Sequence, residues 1–205
     1  MQRWIPACTV LAIALVPTAC TNPRLDLGPA PAGVTVDARI QYYDVTANSL
    51  SEIRRAMALE GPRGSEGRRW AAVTSWRMAW TYRYARRGAG CEIERTQVRV
   101  TTVITFPRWN PSTQPDSALT DWWYQYNAGL AQHERGHAQL AVKAAGQVVS
   151  ELNGMPGGLC DSLGTRANER GRQINTAMQR LQSEYDAETV HGRTQILQAT
   201  RLQTP

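Results

Sequence analysis

The chain has 205 residues, of which 42% are hydrophobic and 20% charged, and its formal net charge at pH 7 is +6. These values fit one globular domain with a sizeable core, or at most one domain with a helical appendage. Lys143 is the only lysine, and the arginines are too scattered for a nucleic-acid-binding protein, so the charge indicates a solvated basic surface, with attraction to an anionic envelope as a further interpretation.

The first twenty residues have the pattern of an export signal. A short positive segment at Arg3 precedes a mostly apolar run over residues 8–16, which is too short to span a membrane. Cys20 stands where a bacterial lipoprotein carries its lipidated cysteine, although Pro17 replaces the usual leucine. We therefore expect an exported protein, anchored in the bacterial envelope by a lipid on Cys20 or simply secreted after cleavage nearby.

The predicted domain begins after a short linker. Residues 21–33 are rich in proline, glycine and alanine, and one domain is predicted over residues 34–195, followed by a polar tail over residues 196–205. Residues 34–45 alternate between apolar and polar side chains as a strand does. A short helix capped at residues 48–49 is expected next, before a glycine-rich loop.

Two further strands follow that loop. Residues 74–84 place a run of large side chains on one face, and residues 91–106 alternate through several β-branched residues before Pro107 ends the strand. The large side chains are those of Trp76, Met78, Trp80, Tyr82 and Tyr84. The spacing predicts a small antiparallel sheet of three or four strands.

The rest of the domain is predicted to be helical. A helix from Asp116 or Ser117 to about Leu152 carries one continuous stripe that includes His133 and His137, so both histidines are expected to point inward. After a break rich in glycine, a second helix is expected to end near residue 187 and to return antiparallel to the first. The predicted fold class is therefore α+β, with the sheet packed on the first long helix in a zincin-like arrangement.

The strongest chemical signal is the H-E-x-x-H motif from His133 to His137. Histidines four residues apart lie on one face of a helix, where both can bind a tetrahedral zinc ion while Glu134 acts as general base on a water molecule. The motif uses two of the three histidines in the chain. Such a short motif also occurs in helices that bind nothing, so the residues around it must indicate whether this one binds a metal ion.

A hydrolytic zinc site needs a third protein ligand. The sequence favours His191, the remaining histidine, beside Gly192 where the backbone can turn sharply. Asp186 is the second choice and Glu169 the third, because Glu169 stands beside two arginines and is more simply a solvated helix charge.

Two cysteines remain once the export signal and Cys20 are set aside. Cys91 and Cys160 are expected to form a disulfide in an oxidising compartment, closing a loop that contains the motif. Two buried free thiols are the alternative.

Several segments occur together in a recognisable order. Besides the H-E-x-x-H motif, they are Tyr43-Asp44-Val45-Thr46, Thr74-Ser75-Trp76, Phe106-Pro107-Arg108-Trp109 and Tyr185-Asp186-x-x-Thr189-x-His191-Gly192. From about residue 35 to 195 the chain resembles the domain of unknown function 922 family of bacterial proteins, described as predicted secreted zinc-dependent proteases. The resemblance implies that Asp186 and His191 belong to the site region.

Three more residues are candidates for roles at the site. Tyr185 can donate a hydrogen bond to an oxyanion, although such a tyrosine often only packs between helices. Thr189 can orient a ligand histidine, as can Asp186 if it is not itself a ligand. Trp109 is the best candidate for lining a substrate cleft, with a place in the core as the simpler alternative.

These observations predict a zinc-dependent metallopeptidase of the bacterial envelope or exterior. Zinc is the expected cofactor, and a peptide or protein the expected substrate, held in extended form against an edge strand. A non-catalytic zinc-stabilised binding module and an amidase acting on cell-wall amide bonds are the alternatives.

Overall fold

The computed structural model describes residues 27–201, which hold three strands and four helices and confirm the predicted α+β class. The export signal, Cys20 and the first part of the linker lie outside the described residues. The strands are β1 (Val34–Val45), β2 (Val73–Arg87) and β3 (Gly90–Trp109). The helices are α1 (Leu50–Glu60), α2 (Ser117–Asn153), α3 (Cys160–Thr189) and α4 (Arg193–Arg201).

The sheet is mixed, so the prediction of an antiparallel sheet is wrong for one of its two strand pairs. Its order is β1-β3-β2, with β2 antiparallel to β3 and β1 parallel to it. Each strand runs opposite to the preceding one in the chain, as predicted, but β3 lies between the other two. Alternation in the sequence gives the face on which each side chain lies but neither the direction nor the lateral order of the strands. The central position of β3 agrees with the deep burial of its inner side chains Val98, Val100 and Ile104.

The inner face of β2 is not covered along its whole length. The β2–β3 register shifts between Arg83 and Tyr84, where Glu94 of β3 has no partner in β2, as at a β-bulge. Tyr84 lies opposite the buried Ile93 but is 55% exposed, whereas Trp76, Met78, Trp80 and Tyr82 pack against the core as expected.

The core lies between the inner face of the sheet and the two long helices. Side chains of β3, α2 and α3 form the largest cluster of buried residues. The predicted disulfide between Cys91 and Cys160 joins β3 to the start of α3. Two backbone hydrogen bonds between Cys91 and Gly158, of 2.8 and 3.0 Å, hold the same junction.

The two long helices run antiparallel. Asp116 caps α2 by accepting a hydrogen bond from the backbone N–H of Leu119 at 2.7 Å. Going along α2 towards its start, contacts with α3 come from progressively later residues of α3: Glu151 with Arg170, His137 with Gln182 and His133 with Thr189. The part of α2 that carries His133 and His137 therefore lies beside the C-terminal end of α3.

A fourth helix occupies much of the segment for which the sequence predicted only a polar tail. The backbone of α4 crosses α2 at Gly129, where an added Cβ would lie 2.4 Å from the Cα of Ile196. Only glycine permits this approach, and the small number of apolar residues in α4 gave little signal for a buried contact. Over residues 27–201, no helix has both the length and the apolar character required to cross a bilayer.

Candidate metal centre

Three side chains from α2 and α3 converge at the junction of these helices. His133 and His137 are 4% and 9% exposed, which confirms that both point inward. The Oδ1 atom of Asp186 lies 3.2 Å from Nε2 of His133 and 3.0 Å from Nε2 of His137. The two Nε2 atoms are 3.2 Å apart. These three residues are a candidate metal-binding group, with all ligand atoms within 4.8 Å of one another.

The other nitrogen of each imidazole contacts a hydrogen-bond acceptor. The Thr189 hydroxyl donates to the backbone carbonyl of Tyr185 at 2.7 Å, so it accepts from Nδ1–H of His133 at 3.3 Å. The Gln182 amide nitrogen donates to the backbone carbonyl of His137 at 3.0 Å, which leaves its Oε1 to accept from Nδ1–H of the same histidine. Each Nε2 therefore presents a lone pair to the centre.

The Nε2 atoms of the two histidines and Oδ1 of Asp186 are then three hydrogen-bond acceptors that lie together with no donor between them. Either a histidine takes up a proton, or a cation binds. Zinc–ligand bonds of about 2.0–2.1 Å at tetrahedral angles place two ligand atoms about 3.3 Å apart. The separations of 3.0–3.2 Å between these atoms are close to that value, so the donor set fits a small divalent ion.

Glu134 lies buried beside this group, at 3% exposure. The hydroxyl of Thr74, at the start of β2, lies 2.7 Å from Oε2 of Glu134 and 3.1 Å from its backbone carbonyl. This contact fixes the carboxylate between the sheet and α2. Because burial removes solvent from it, the pKa of Glu134 is raised above its ordinary value, although Thr74 and both histidines oppose the shift.

The charges at the centre influence one another strongly. Burial acts to raise the pKa of Asp186, but His133 and His137, which donate hydrogen bonds to it when they carry a proton on Nε2, outweigh burial and hold that pKa far below its usual range. Burial likewise acts to lower the pKa of His137, yet the hydrogen bonds to Asp186 and Gln182 leave it raised. The pocket thus favours positive charge at the point where the three side chains meet.

Tyr185 packs directly on the histidines. Its ring stacks on His133 at 5.2 Å between centroids and meets His137 edge-on at 5.0 Å. Its hydroxyl accepts a hydrogen bond from the amide of Gln195 in α4 at 3.1 Å, so its own proton is available for another acceptor. The absence of a side chain at Gly136 makes room for this ring, since a Cβ there would lie 2.2 Å from the hydroxyl.

His191 lies next to the group, in an unusual turn. Its Nδ1 atom is 3.7 Å from Oδ1 of Asp186, and its ring packs at a tilt of 31° against Trp70, with 4.5 Å between centroids. Val190, His191 and Gly192 all have positive φ, of 50°, 51° and 82°. A β-branched residue rarely adopts this conformation, and a Cβ on Gly192 would lie 2.9 Å from the ring of His133. The turn therefore packs tightly against the first histidine.

Two predicted site residues lie elsewhere. Glu169 is exposed and pairs with Arg172 at 2.8 Å, seventeen residues before Asp186 and therefore about 25 Å away along α3. Trp109 packs in a separate cluster with Trp123, and its indole N–H donates to the carbonyl of Ala47 at 2.8 Å. The structure thus brings Asp186 and His191, rather than Glu169 or Trp109, to the motif.

Sequence reasoning missed four residues that shape the site. Gln182 precedes Asp186 by one helical turn, a spacing that carries a weak signal. Thr74 belongs to one of the segments that carry the family resemblance, but the sequence did not indicate a role for it. Trp70 and Gln195 reach the site through a loop and through α4, and nothing in the local sequence indicates either contact.

Comparison with known proteins gives one match. A family model described as a bacterial protein of unknown function (DUF922) matches residues 40–192, which include every member of the candidate centre except Gln195. No curated protein and no solved structure matches the chain.

Proposed function

The chain belongs to the domain of unknown function 922 family of bacterial proteins, and the matching family model names no function, so we propose a function from the side chains of the chain itself. The proposal is a zinc-dependent metallopeptidase with zincin-like packing, active in the bacterial envelope or outside the cell. The observation that carries it is the convergence of His133, His137 and Asp186, with both imidazoles oriented by hydrogen bonds and Glu134 buried alongside.

The proposed ligands are His133, His137 and Asp186. Asp186 takes precedence over His191 because its Oδ1 atom lies within 3.2 Å of both Nε2 atoms, whereas His191 is turned towards Trp70. His191 then borders the side of the centre where substrate would enter. A zinc ion held there would supply a Lewis acid that polarises the scissile carbonyl and acidifies water.

The protein side chains supply the proton transfers. Glu134, fixed by Thr74, accepts a proton from the attacking water and passes it to the leaving amine. The Tyr185 hydroxyl, whose oxygen already accepts from Gln195, donates its own hydrogen to the developing oxyanion. Burial comes first among the causes that raise the pKa of Tyr185, and Glu134 adds to it, so this hydroxyl remains a donor at neutral pH.

The position of β2 supports a peptide as the substrate. In the described residues β2 is an edge strand, since the order β1-β3-β2 leaves one of its sides without a strand partner. Thr74, near its first residue, contacts Glu134. An extended peptide that added to this edge would pass the proposed catalytic base.

The cysteines support an exported location. The Cys91–Cys160 disulfide suits an oxidising compartment such as the periplasm or the exterior. Together with the export signal expected from residues 1–20, this supports a protein that leaves the cytoplasm, with a lipid anchor at Cys20 as the proposed form of attachment.

Glu134→Gln is the decisive variant for the proposed mechanism. It keeps the shape of the side chain and its contact with Thr74 but removes the base, so we expect peptide hydrolysis to fall about 10²- to 10⁴-fold with metal content unchanged. The measurement pairs elemental analysis of the purified protein with release of fluorescence from quenched peptide libraries.

Glu184→Gln is the matched control, because Glu184 is an exposed glutamate near the site on α3. It removes the same charge and should leave hydrolysis intact. Equal activity in wild type and Glu134→Gln would eliminate the peptidase mechanism. A metal-loaded protein that cleaves no peptide but releases peptides from cell-wall material would assign the amidase alternative, and one that cleaves neither would assign the binding module.

A further inference from the structure

The outer face of the sheet, away from the helices, carries five exposed arginines. Strand register places Arg83 directly opposite Arg95, and Arg99 between Ala79 of β2 and Thr35 of β1. Arg77 and Arg39 continue the same face. All five side chains alternate with residues that point into the core. We call this set, Arg39, Arg77, Arg83, Arg95 and Arg99, the arginine face.

Most of these charges have no counter-ion among the residues that the structure describes. Arg39 pairs with Asp37 at 3.0 Å, but among residues 27–201 no ion pair involves the other four. Like charges directly opposite each other on neighbouring strands destabilise a sheet. The Arg83–Arg95 pair therefore works against folding, which is unexpected for residues whose role is structural.

A shallow depression lies at the end of the face where these two arginines meet. Its lining combines both guanidinium groups with a hydroxyl and an amide: Arg83, Arg95, Thr81, Gln97 and the edge of Tyr82. Guanidinium groups bind phosphate oxygens in a bidentate manner, and hydroxyl and amide groups complete such contacts. The depression has the donors that a phosphate group requires.

From this geometry we infer that the arginine face is a membrane-contact surface, which binds the phosphate headgroups of an anionic phospholipid bilayer. A sheet face with its arginines spread over three strands matches a surface of many charges better than it matches one small anion. Juxtaposed basic residues add to one another at an anionic bilayer within a Debye length. The inference concerns a surface distinct from the metal centre and does not depend on hydrolysis.

The N-terminal segment does not add to this surface. Gly33, just before β1, accepts a hydrogen bond from Val98 at 2.9 Å, but Leu27 packs on the helical side of the sheet, in the cluster that contains Ile104 and Leu130. Binding at the arginine face therefore depends on its guanidinium groups and does not require a lipid on Cys20.

The metal centre lies at the other end of the sheet. Thr74, which contacts Glu134, precedes Arg83 by nine residues along β2, a distance of about 30 Å. Contact through the depression would therefore leave the site facing away from the membrane, where soluble or periplasmic chains can reach it.

Binding to vesicles tests the inference. The chain is exported with Cys20→Ser, so that no lipid contributes, and mixed with vesicles of phosphatidylglycerol and phosphatidylcholine or of phosphatidylcholine alone. We expect binding only to the anionic vesicles. Each arginine near such a surface strengthens binding about fivefold, so Arg83→Gln/Arg95→Gln should weaken it about 25-fold. The melting temperature of this double variant should be unchanged or higher than that of the parent chain, because a repulsive pair of charges is removed.

The control is Arg55→Gln/Arg180→Gln, which removes two exposed arginines from α1 and α3 and lowers the net charge equally. It should bind within about twofold of the parent chain. Equal losses in both double variants, or no binding to anionic vesicles, would overturn the inference. So would complete release by millimolar glycerol phosphate, which indicates an isolated phosphate site, or tighter binding to dextran sulfate than to vesicles, which indicates a glycan. Metal chelators should have no effect in any arm, whatever the fate of the proposed hydrolysis.

Discussion

At the scale of single residues, the site depends on how the two histidines are held. Neither imidazole is oriented by a carboxylate: His133 donates to the hydroxyl of Thr189, and His137 to the amide oxygen of Gln182. These neutral partners fix the rings without adding negative charge, so Asp186 and Glu134 supply the charge at the centre. The positive φ angles of Val190 and His191 add a local strain that the packing of Gly192 on His133 maintains.

Asp186→Asn and His191→Ala separate the two candidate third ligands. Asparagine retains the shape of Asp186 but loses its charge, so zinc affinity should fall by more than about 100-fold, beyond the effect of an outer partner. His191→Ala should keep one metal ion per chain, with affinity weakened at most about tenfold. Competition with a chromophoric chelator gives both affinities.

The reverse pattern would assign the third ligand to His191. A protein that binds no metal in any form, although folded and never exposed to chelators, would exclude the metal centre altogether. Asp161→Asn, an exposed aspartate at the start of α3, is the control for loss of one negative charge.

At the scale of elements, α4 packs against both long helices next to the site. It crosses α2 at Gly129, four residues before His133, and its Gln195 reaches the hydroxyl of Tyr185. Along the chain, the cap of α3 and the turn that bears His191 connect Tyr185 to Gln195. The position of His191 and Tyr185 thus depends on a helix that contributes no proposed ligand.

Gly129→Ala tests whether the contact of α4 with α2 holds α4 in place. The added methyl group would overlap the backbone of Ile196, so α4 must move away, and overpacking of this kind costs about 1–3 kcal/mol. We expect proteolysis within residues 193–201 to become faster and peptide hydrolysis to fall. Limited digestion followed by mass spectrometry locates the cuts.

Gly146→Ala is the matched control on the same helix. Its added Cβ would meet only the side chain of Pro31, at 3.1 Å, and the change raises helix propensity by about 1 kcal/mol. Equal protease resistance in the two variants would mean that α4 is not held by its contact with Gly129.

At the scale of the whole molecule, one covalent link closes the chain around the site. The disulfide spans 69 residues, from β3 through all of α2 to the start of α3. It joins the sheet to the helix that supplies Asp186, while α2 supplies the other two proposed ligands. The unfolded chain therefore loses much of its freedom when the bond forms.

Cys91→Ser/Cys160→Ser should lower the free energy of unfolding by about 4 kcal/mol, according to the entropy of closing a loop of this length. Urea denaturation of the exported protein measures the difference, with the reduced wild type as a second form that lacks the bond. Two alkylatable thiols in the untreated exported wild type would contradict the prediction, as would equal stability of all three proteins.

The sequence by itself determined the three strands, the helices α1, α2 and α3, and the inward direction of the motif. Period-two alternation gave the strands, and helical spacing gave α2 and α3 and the burial of His133 and His137, because these signals depend only on neighbouring residues. The pairing of Cys91 with Cys160 followed from counting, since two cysteines remained for one compartment.

Only the tertiary structure decided how these elements meet. It placed β3 between β1 and β2, made α4 a helix, set Asp186 within reach of both Nε2 atoms and gathered five arginines on one sheet face. Each of these outcomes joins residues far apart in the chain. Their energies come from packing and register across separate elements, which no local pattern of residues encodes.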